Sequence, residues 1–179
     1  DGFEYSRTLA SIAEKQSHGG DQIQAKALFN KAIKEAEKLQ DYNNFLPFTL
    51  AYIVEKMLEV NEVVGATEIL GRISEPTAQS EALIRLAEKQ SELDLINDAR
   101  DTFINAFNVA KSIGDNFYRP ELLAKIIDRM AKVKLFSEAL ELTTQIESES
   151  DRITAYASIA MYQASSNLFD EAKHTLRRV

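Results

Sequence analysis

Residues 82–103 read ALIRLAEKQSELDLINDARDTF, and the rest of the chain is a set of variations on them. With Leu83 as anchor, Leu86 and Ala87 follow on the same helical face, and Ala99 and Phe103 stand sixteen and twenty residues on. The frame recurs from Leu9 (Ile12, Ala13, Ala25, Phe29) and from Leu50 (Ile53, Val54, Ala66, Leu70). It returns from Leu123 (Ile126, Ile127, Ala139, Thr143) and from Tyr156 (Ile159, Ala160, Ala172, Leu176). An alanine at one offset in all five units is not chance, and self-similarity of this kind marks a repeat architecture. The anchors 9, 50, 83, 123 and 156 are 41, 33, 40 and 33 residues apart, so long and short units alternate. The true period is a pair of units, 74 residues from Leu9 to Leu83 and 73 from Leu83 to Tyr156.

Each unit reads as two helices joined by a tight turn. Apolar residues recur at helical spacing in both halves of every unit, and no segment alternates as a half-buried strand does. The units cover about residues 3–46, 47–76, 77–119, 120–150 and 151–179, a single repeat domain. The expected helices are 3–17 and 22–40, 47–60 and 63–74, 77–93 and 97–113, 120–133 and 137–148, then 151–166 and 170–179. Gly20 sits in the first turn, and its equivalents are Asn61, Asp94, Lys134 and Asn167. Most of these residues accept the left-handed conformation that a helix C-terminus favours. Asp41-Tyr42-Asn43-Asn44 closes the second helix, and Pro47 starts the third, where its missing N–H costs nothing. Pro120 stands in the same relation to Leu123. The pairs Phe136-Ser137 and Phe169-Asp170 read as an apolar residue followed by an N-cap. Gln16, Met57, Gln90, Met130 and Gln163 share one column, a half-buried packing position.

Composition narrows the function classes. Apolar content is 45% and charged content 27% over 179 residues, as in ordinary globular domains, so disorder is not indicated. The net charge of −7 argues against a polyanion partner such as nucleic acid, and solubility alone accounts for acidity of that size. The absence of cysteine excludes disulfides and thiolate metal sites. No apolar run approaches the roughly twenty residues that span a bilayer, and no basic leader with an apolar segment opens the chain. A cysteine-free chain can live anywhere, so the compartment stays open, with the cytoplasm favoured. The chain opens on Asp1-Gly2-Phe3, which matches Asp115-Asn116-Phe117 ahead of Leu123, and Val179 falls in a core column. Both observations point to a fragment of a longer array, because terminal repeats need a polar cap.

These residues resemble the tetratricopeptide family. From Leu83 the frame runs through Leu86, Ala87, Gln90, Ala99, Phe103 and Ala106, with small residues where helices approach closely and Phe103 filling the space between units. The chain is a divergent relative of that pattern. The usual Trp and Tyr are replaced by Leu and by Gln or Met, Val54 and Ile127 take the small position, and Thr143 takes that of Phe. The closing prolines are displaced, and the long units exceed the usual length by about two turns of helix. The resemblance implies an all-α superhelical solenoid of about five helix-turn-helix repeats, roughly ten antiparallel helices. It also implies a binding scaffold that holds a peptide or partner helix in a concave groove lined by first helices.

The groove columns follow from the frame. One residue after each anchor stand Ala10, Ala51, Ile84, Ala124 and Ala157, and five after it Glu14, Glu55, Glu88, Asp128 and Met161. Two before it stand Arg7, Phe48, Glu81, Glu121 and Thr154, and eight after it Ser17, Leu58, Ser91, Ala131 and Ala164. The candidate partner-binding residues are Arg7, Ala10, Glu14, Phe48, Ala51, Glu55, Ile84, Glu88, Ala124, Asp128 and Ala157. Chaperone-tail binders of this family set Lys and Asn at these columns to hold a C-terminal carboxylate, to which Ala offers no donor and which Glu would repel. The acidic ladder points to a basic or amide-rich partner. The competing reading pairs each Glu with Lys15, Lys56, Lys89 or Arg129 beside it, or with neighbouring helices, at about 0–1 kcal/mol per pair.

Other chemistries find little support. His18 and His174 lie at opposite ends of the chain, too few for a zinc site without cysteine. No strand–turn–helix elbow presents a serine, and His18-Gly19-Gly20-Asp21 lacks the Lys and Ser/Thr of a phosphate loop. Nothing buries one of Glu88 and Asp128 while solvating the other, as acid–base catalysis requires. No catalytic, cofactor or metal residue is assigned. Phe48, Phe117 and Tyr118 are candidate aromatic anchors for a partner, or covers for the ends of the long helices. A non-catalytic protein-interaction scaffold leads. The alternative is a sensor or substrate-docking arm of a larger regulatory or enzymatic protein. RNA binding would need a basic concave face. Self-association through the exposed C-terminal edge is also open. The long second helices are expected on the convex side, which Ile33, Ala36 and Leu39 on the groove floor would refute.

Overall fold

The computed structural model describes residues 2–38, 45–114 and 117–179. Ten helices are found among them: α1 (Gly2–His18), α2 (Gln22–Glu37), α3 (Phe45–Glu59), α4 (Val63–Leu70) and α5 (Pro76–Glu92), then α6 (Ile96–Lys111), α7 (Tyr118–Lys132), α8 (Phe136–Thr143), α9 (Glu149–Ser165) and α10 (Phe169–Leu176). No strand occurs among the described residues, and the all-α repeat class read from the sequence is the one observed. The chain divides into two compact halves, Asp1–Lys89 and Gln90–Val179. In the first, α1 packs on α2 and α3, and α3 on α2 and α4. In the second, α7 packs on α6, α8 and α9, α9 packs on α8 and α10, and α6 reaches α8. First helices therefore stack on first helices, and in the second half a second helix also stacks on its successor.

Each repeat turns through a single left-handed residue. These are Gly20 (φ 92°), Asn61 (63°), Asp94 (62°), Lys134 (67°) and Asn167 (64°), the five positions that the frame aligns. One residue later, the N–H of Asp21, Glu62, Leu95, Leu135 and Leu168 donates to the carbonyl of Gln16, Met57, Gln90, Met130 and Gln163. This six-residue closure satisfies a carbonyl that the helix end would otherwise orphan. It brings the second helix back against the first at a second-helix alanine in all five repeats. Ala25, Ala66, Ala99, Ala139 and Ala172 are all buried, as are Ala13, Val54, Ala87, Ile127 and Ala160.

Several local expectations need correction. The caps of α8 and α10 are Leu135 and Leu168, without a side-chain cap hydrogen bond, so Ser137 and Asp170 are inside their helices. The preceding turn already fixes the chain's entry angle there, and no side chain is needed. Side-chain caps occur elsewhere: Asp21 accepts from Gln24 N–H (3.0 Å), Glu75 from Ala78 N–H (2.6 Å) and Ser148 from Asp151 N–H (3.3 Å). Pro47 and Pro120 are each the third residue of a helix rather than the first. An N–H in the first turn lacks an intrahelical acceptor at that position too.

The second helices are 16, 8, 16 and 8 residues long in α2, α4, α6 and α8, so the alternation of units is one of second-helix length. The short ones stop earlier than their apolar pattern implies. Beyond Leu70 and Thr143 the backbone tightens into a turn, in which Ile73 N–H donates to Leu70 and Ile146 N–H to Thr143. That turn drops Ile73 and Ile146 into the core. Ile33 and Ala36 are buried in the packing of α2 rather than at a surface. Leu39, the 41–44 closure and the pairing of Asp1 with Asp115 and Asn116 fall outside the described residues.

Lys134 is the one long side chain among the five left-handed residues, and a non-glycine residue there loses about 1–2 kcal/mol. Lys134→Gly is expected to stabilise the fold by about 1 kcal/mol, seen as a higher urea midpoint by circular dichroism; a lower midpoint would contradict the turn assignment. The buried bond from Thr175 Oγ1 to Gln163 Oε1 (2.8 Å) gives a second test. Thr175→Val leaves that oxygen unpaired and is expected to destabilise by about 1–3 kcal/mol on the same measurement.

Candidate first-helix binding face

In the first half, the residues proposed from the sequence gather around one side chain that the column reading passed over. Tyr52 of α3 takes the Arg7 guanidinium on its ring face at 4.5 Å and shares a 2.8 Å hydrogen bond between its hydroxyl and that of Ser11. Lys56, one turn on, lies 5.7 Å from the centre of the same ring. Its ammonium reaches Glu14 of α1 at 3.0 Å and Glu59 at 2.8 Å. Further along, Arg85 of α5 lies 3.9 Å from Glu55 of α3 and 3.5 Å from Glu88. In the second half, Asp128 of α7 accepts a 2.7 Å hydrogen bond from Ser158 of α9.

The acidic ladder is thus a set of cross-helix links. Glu14, Glu55 and Asp128 each tie their own first helix to the next first helix, through Lys56, Arg85 and Ser158. The partners Arg85 and Ser158 stand two residues after their anchors, in the column of Ser11, Tyr52 and Lys125. That column lies three residues before the acidic one, hence on the same helical face. This spacing was the available signal for Tyr52, Arg85 and Ser158.

The other candidates divide by exposure. Arg7, Phe48 and Ala157 are exposed, and Ala51 and Ala124 are half-buried. Ala10 and Ile84 are buried, so they belong to the packing beneath the face rather than to its surface. Ser17, Leu58 and Ala131, eight residues after their anchors, are buried as well, and Ser17 donates to Gln22 Oε1 at 2.9 Å to hold the turn. Phe117 and Tyr118 are exposed, with rings edge-to-face at 5.3 Å. The two histidines are exposed, and among the described residues no three His, Asp or Glu side chains gather as a metal site would require.

Glu14, Lys56 and Glu59 form a charged triad. Partial burial works against the Glu14 carboxylate, but hydrogen bonding to Lys56 and Glu59 and the Lys56 charge outweigh it and hold its pKa below the ordinary 4.5. Burial likewise opposes the Lys56 ammonium, and hydrogen bonds to Glu59 and Glu14 together with their charges hold its pKa above the ordinary 10.5.

A cleft of about 400 Å³ lies in the second half, lined among others by Lys111, Arg119, Leu123, Ile146, Glu147 and Asp151. It opens where α6 outruns the shorter α8, and Lys111 Nζ bridges the step to Gln145 at 3.1 Å. The equivalent step in the first half is closed by Arg72 and Glu37 at 2.8 Å.

No protein-family model matches the chain, and no curated protein matches it. Among solved structures, the chain is similar to nearly identical TPR-like repeats from a Podosopora anserina protein named for kinesin light chain. The TM-score is 0.52 at 12% sequence identity, over 99% of this chain and 94% of that one. The fold is accordingly a TPR-like helical-repeat fold.

The triad makes a pH-dependent contribution whose sign is fixed by both shifts. Glu14, with its folded pKa depressed, stabilises above its ordinary 4.5, and this is lost as pH falls through the folded value. Lys56, with its folded pKa raised, stabilises below 10.5, and this is lost as pH rises through the folded value. Between these limits the contribution is flat. Lys56→Met is expected to remove about 1 kcal/mol at pH 7 and less at pH 3, measured by urea unfolding at both. An equal loss at the two pH values would contradict the pairing.

Proposed function

We propose that residues 1–179 form a single TPR-like repeat domain, part of a longer array, and act as a non-catalytic protein–protein interaction scaffold. The first-helix face binds a peptide or a partner helix. The observation that carries this reading is the ordered row Arg7–Tyr52–Lys56–Glu14 beside exposed Phe48. Interlocked side chains lose little further freedom when a ligand arrives, and an exposed aromatic supplies the anchor. A basic segment is the favoured ligand. Glu55, linked to Arg85 only at 3.9 Å, is the loosest rung and the easiest to draw onto an incoming Lys or Arg. No helix among the described residues is long and apolar enough to cross a membrane.

The test is a pull-down read by mass spectrometry, comparing wild type with a Glu14→Ala/Glu55→Ala/Glu88→Ala variant of equal helicity by circular dichroism. Partners carrying basic segments are expected with wild type alone. Fluorescence anisotropy with a Lys/Arg-rich peptide from such a partner is expected to show about a tenfold or greater loss of affinity in the variant. Retention of the same partners by both proteins would mean that the ladder only links helices.

A further inference from the structure

The two long–short steps are built alike, which makes the first half a control for the second. Pro120, Leu123 and Ile146 give the cleft of about 400 Å³ its apolar lining, and Pro47, Leu50 and Ile73 hold the same offsets in the first half. The charges are not repeated. Where Glu37 and Arg72 pair at 2.8 Å, the second half has Lys111 and Gln145. Where Leu46, Ser74 and Ala78 stand, it has Arg119, Glu147 and Asp151. Packing at the step therefore does not require Lys111, Arg119, Glu147 and Asp151, yet all four line one cleft.

Most of that charge is uncommitted. Among the described residues Lys111 meets no carboxylate: its ammonium bonds the neutral Gln145 amide at 3.1 Å and lies 5.9 Å from the centre of the Phe107 ring. The carboxylates of Glu147 and Asp151 enter no ion pair or hydrogen bond among those residues. The backbone that carries them is nonetheless fixed. Arg152 Nη1 donates to the carbonyls of Ile146 and Glu147 at 2.8 Å each, and Ser148 Oγ accepts from Asp151 N–H at 3.3 Å. Groups held in place with their charges still open lose little freedom when a ligand takes them up.

We infer that this cleft binds a small zwitterion, an aminocarboxylate with an apolar side chain. Its cations come from the end of α6 and the start of α7, its carboxylates from the turn before α9 and the first turn of α9. A pure anion would face Glu147 and Asp151, and a pure cation would face Lys111 and Arg119. A ligand with both charges offers its carboxylate to Lys111 and Arg119 and its ammonium to Glu147 and Asp151, and lays its apolar part on Leu123 and Ile146. The volume is at the lower end of small-molecule sites and suits a ligand of amino-acid size. A free amino acid and a short peptide held by both termini share this chemistry. The site uses no side chain assigned to the first-helix face, so the two readings stand or fall separately.

Titration of the chain with L-leucine and with leucyl-leucine, followed by calorimetry and by amide NMR shifts, tests this. N-acetyl-L-leucine and L-leucinamide, each lacking one of the two charges, are the controls. At least one zwitterion is expected to bind at about 1 mM or tighter and to shift the amides of residues 145–151, with both controls about tenfold weaker or worse. The tighter of the two zwitterions names the source, free amino acid or short peptide. Glu147→Gln/Asp151→Asn is expected to weaken the zwitterion about tenfold and to leave N-acetyl-L-leucine no weaker than before. Lys111→Met is expected to weaken the zwitterion and to spare L-leucinamide, and circular dichroism checks that each variant folds. No binding of either zwitterion at about 10 mM overturns the inference. So do controls that bind as well as the zwitterions, or an unchanged affinity in both variants.

Discussion

The close return of each second helix onto its first is the constraint on which the rest of the molecule depends. It needs a backbone that reverses within three residues, and the left-handed residue after each first helix supplies that. It also needs small side chains at the crossing, and the five buried alanines from Ala25 to Ala172 supply those. The two requirements are coupled. A larger residue in place of one of these alanines would push the helices apart, whereas Val54 and Ile127 on the facing first helices are accommodated opposite alanine with turn closures of 2.9 Å. Because every repeat meets the same pair of conditions, the repeats can stack in register, and a column of the sequence becomes a row of the structure.

That is why so much of the fold was legible in the sequence and why the legible part has a definite limit. Periodicity records which residues are buried, so the repeat frame, the five turn residues and the alternation of long and short units could all be read from it. Helix ends are decided by single hydrogen bonds, which periodicity does not record. The apolar residues Ile73 and Ile146 continue the helical pattern of α4 and α8, yet they reach the core through a tightened turn after the helix has stopped. Likewise Ser137 and Asp170 have the chemistry of caps, but the turn before them leaves a leucine at the cap position. Glu75 and Ser148, eight residues before their anchors, take that role for α5 and α9 and went unnoticed.

The binding face was legible in a different measure. Counting from the anchors identified the acidic column, and it left open whether the carboxylates wait for a partner or are engaged within the chain. The answer depends on neighbouring helices, whose offsets differ from rung to rung. Glu14 meets Lys56, six residues after its anchor, whereas Glu55 and Asp128 meet Arg85 and Ser158, two after theirs. Engagement does not remove a carboxylate from use. A link at 3.0 Å within a triad and one at 3.9 Å on a half-exposed pair differ in what an incoming cation must displace. The first is a structural tie with a shifted titration, and the second is the more readily exchanged contact.

The alternation in second-helix length has a consequence that a uniform repeat would lack. A helix of 16 residues beside one of 8 overhangs it by about two turns, or roughly 12 Å. The overhang must be met by something, and the chain meets it with the tightened turn and a polar bridge from the end of the long helix. In the first half the bridge is ionic, Arg72 to Glu37, and in the second it is neutral on one side, Lys111 to Gln145. Replacing a carboxylate–guanidinium pair with an ammonium–amide pair leaves the second step less tightly held, since the charge of Lys111 has no opposite charge at that contact. The cleft at this step carries Arg119, Glu147 and Asp151 where the first half has Leu46, Ser74 and Ala78 at the same offsets from the anchors. The two long–short pairs therefore share one backbone design while presenting different chemistry at the place where their second helices fail to match.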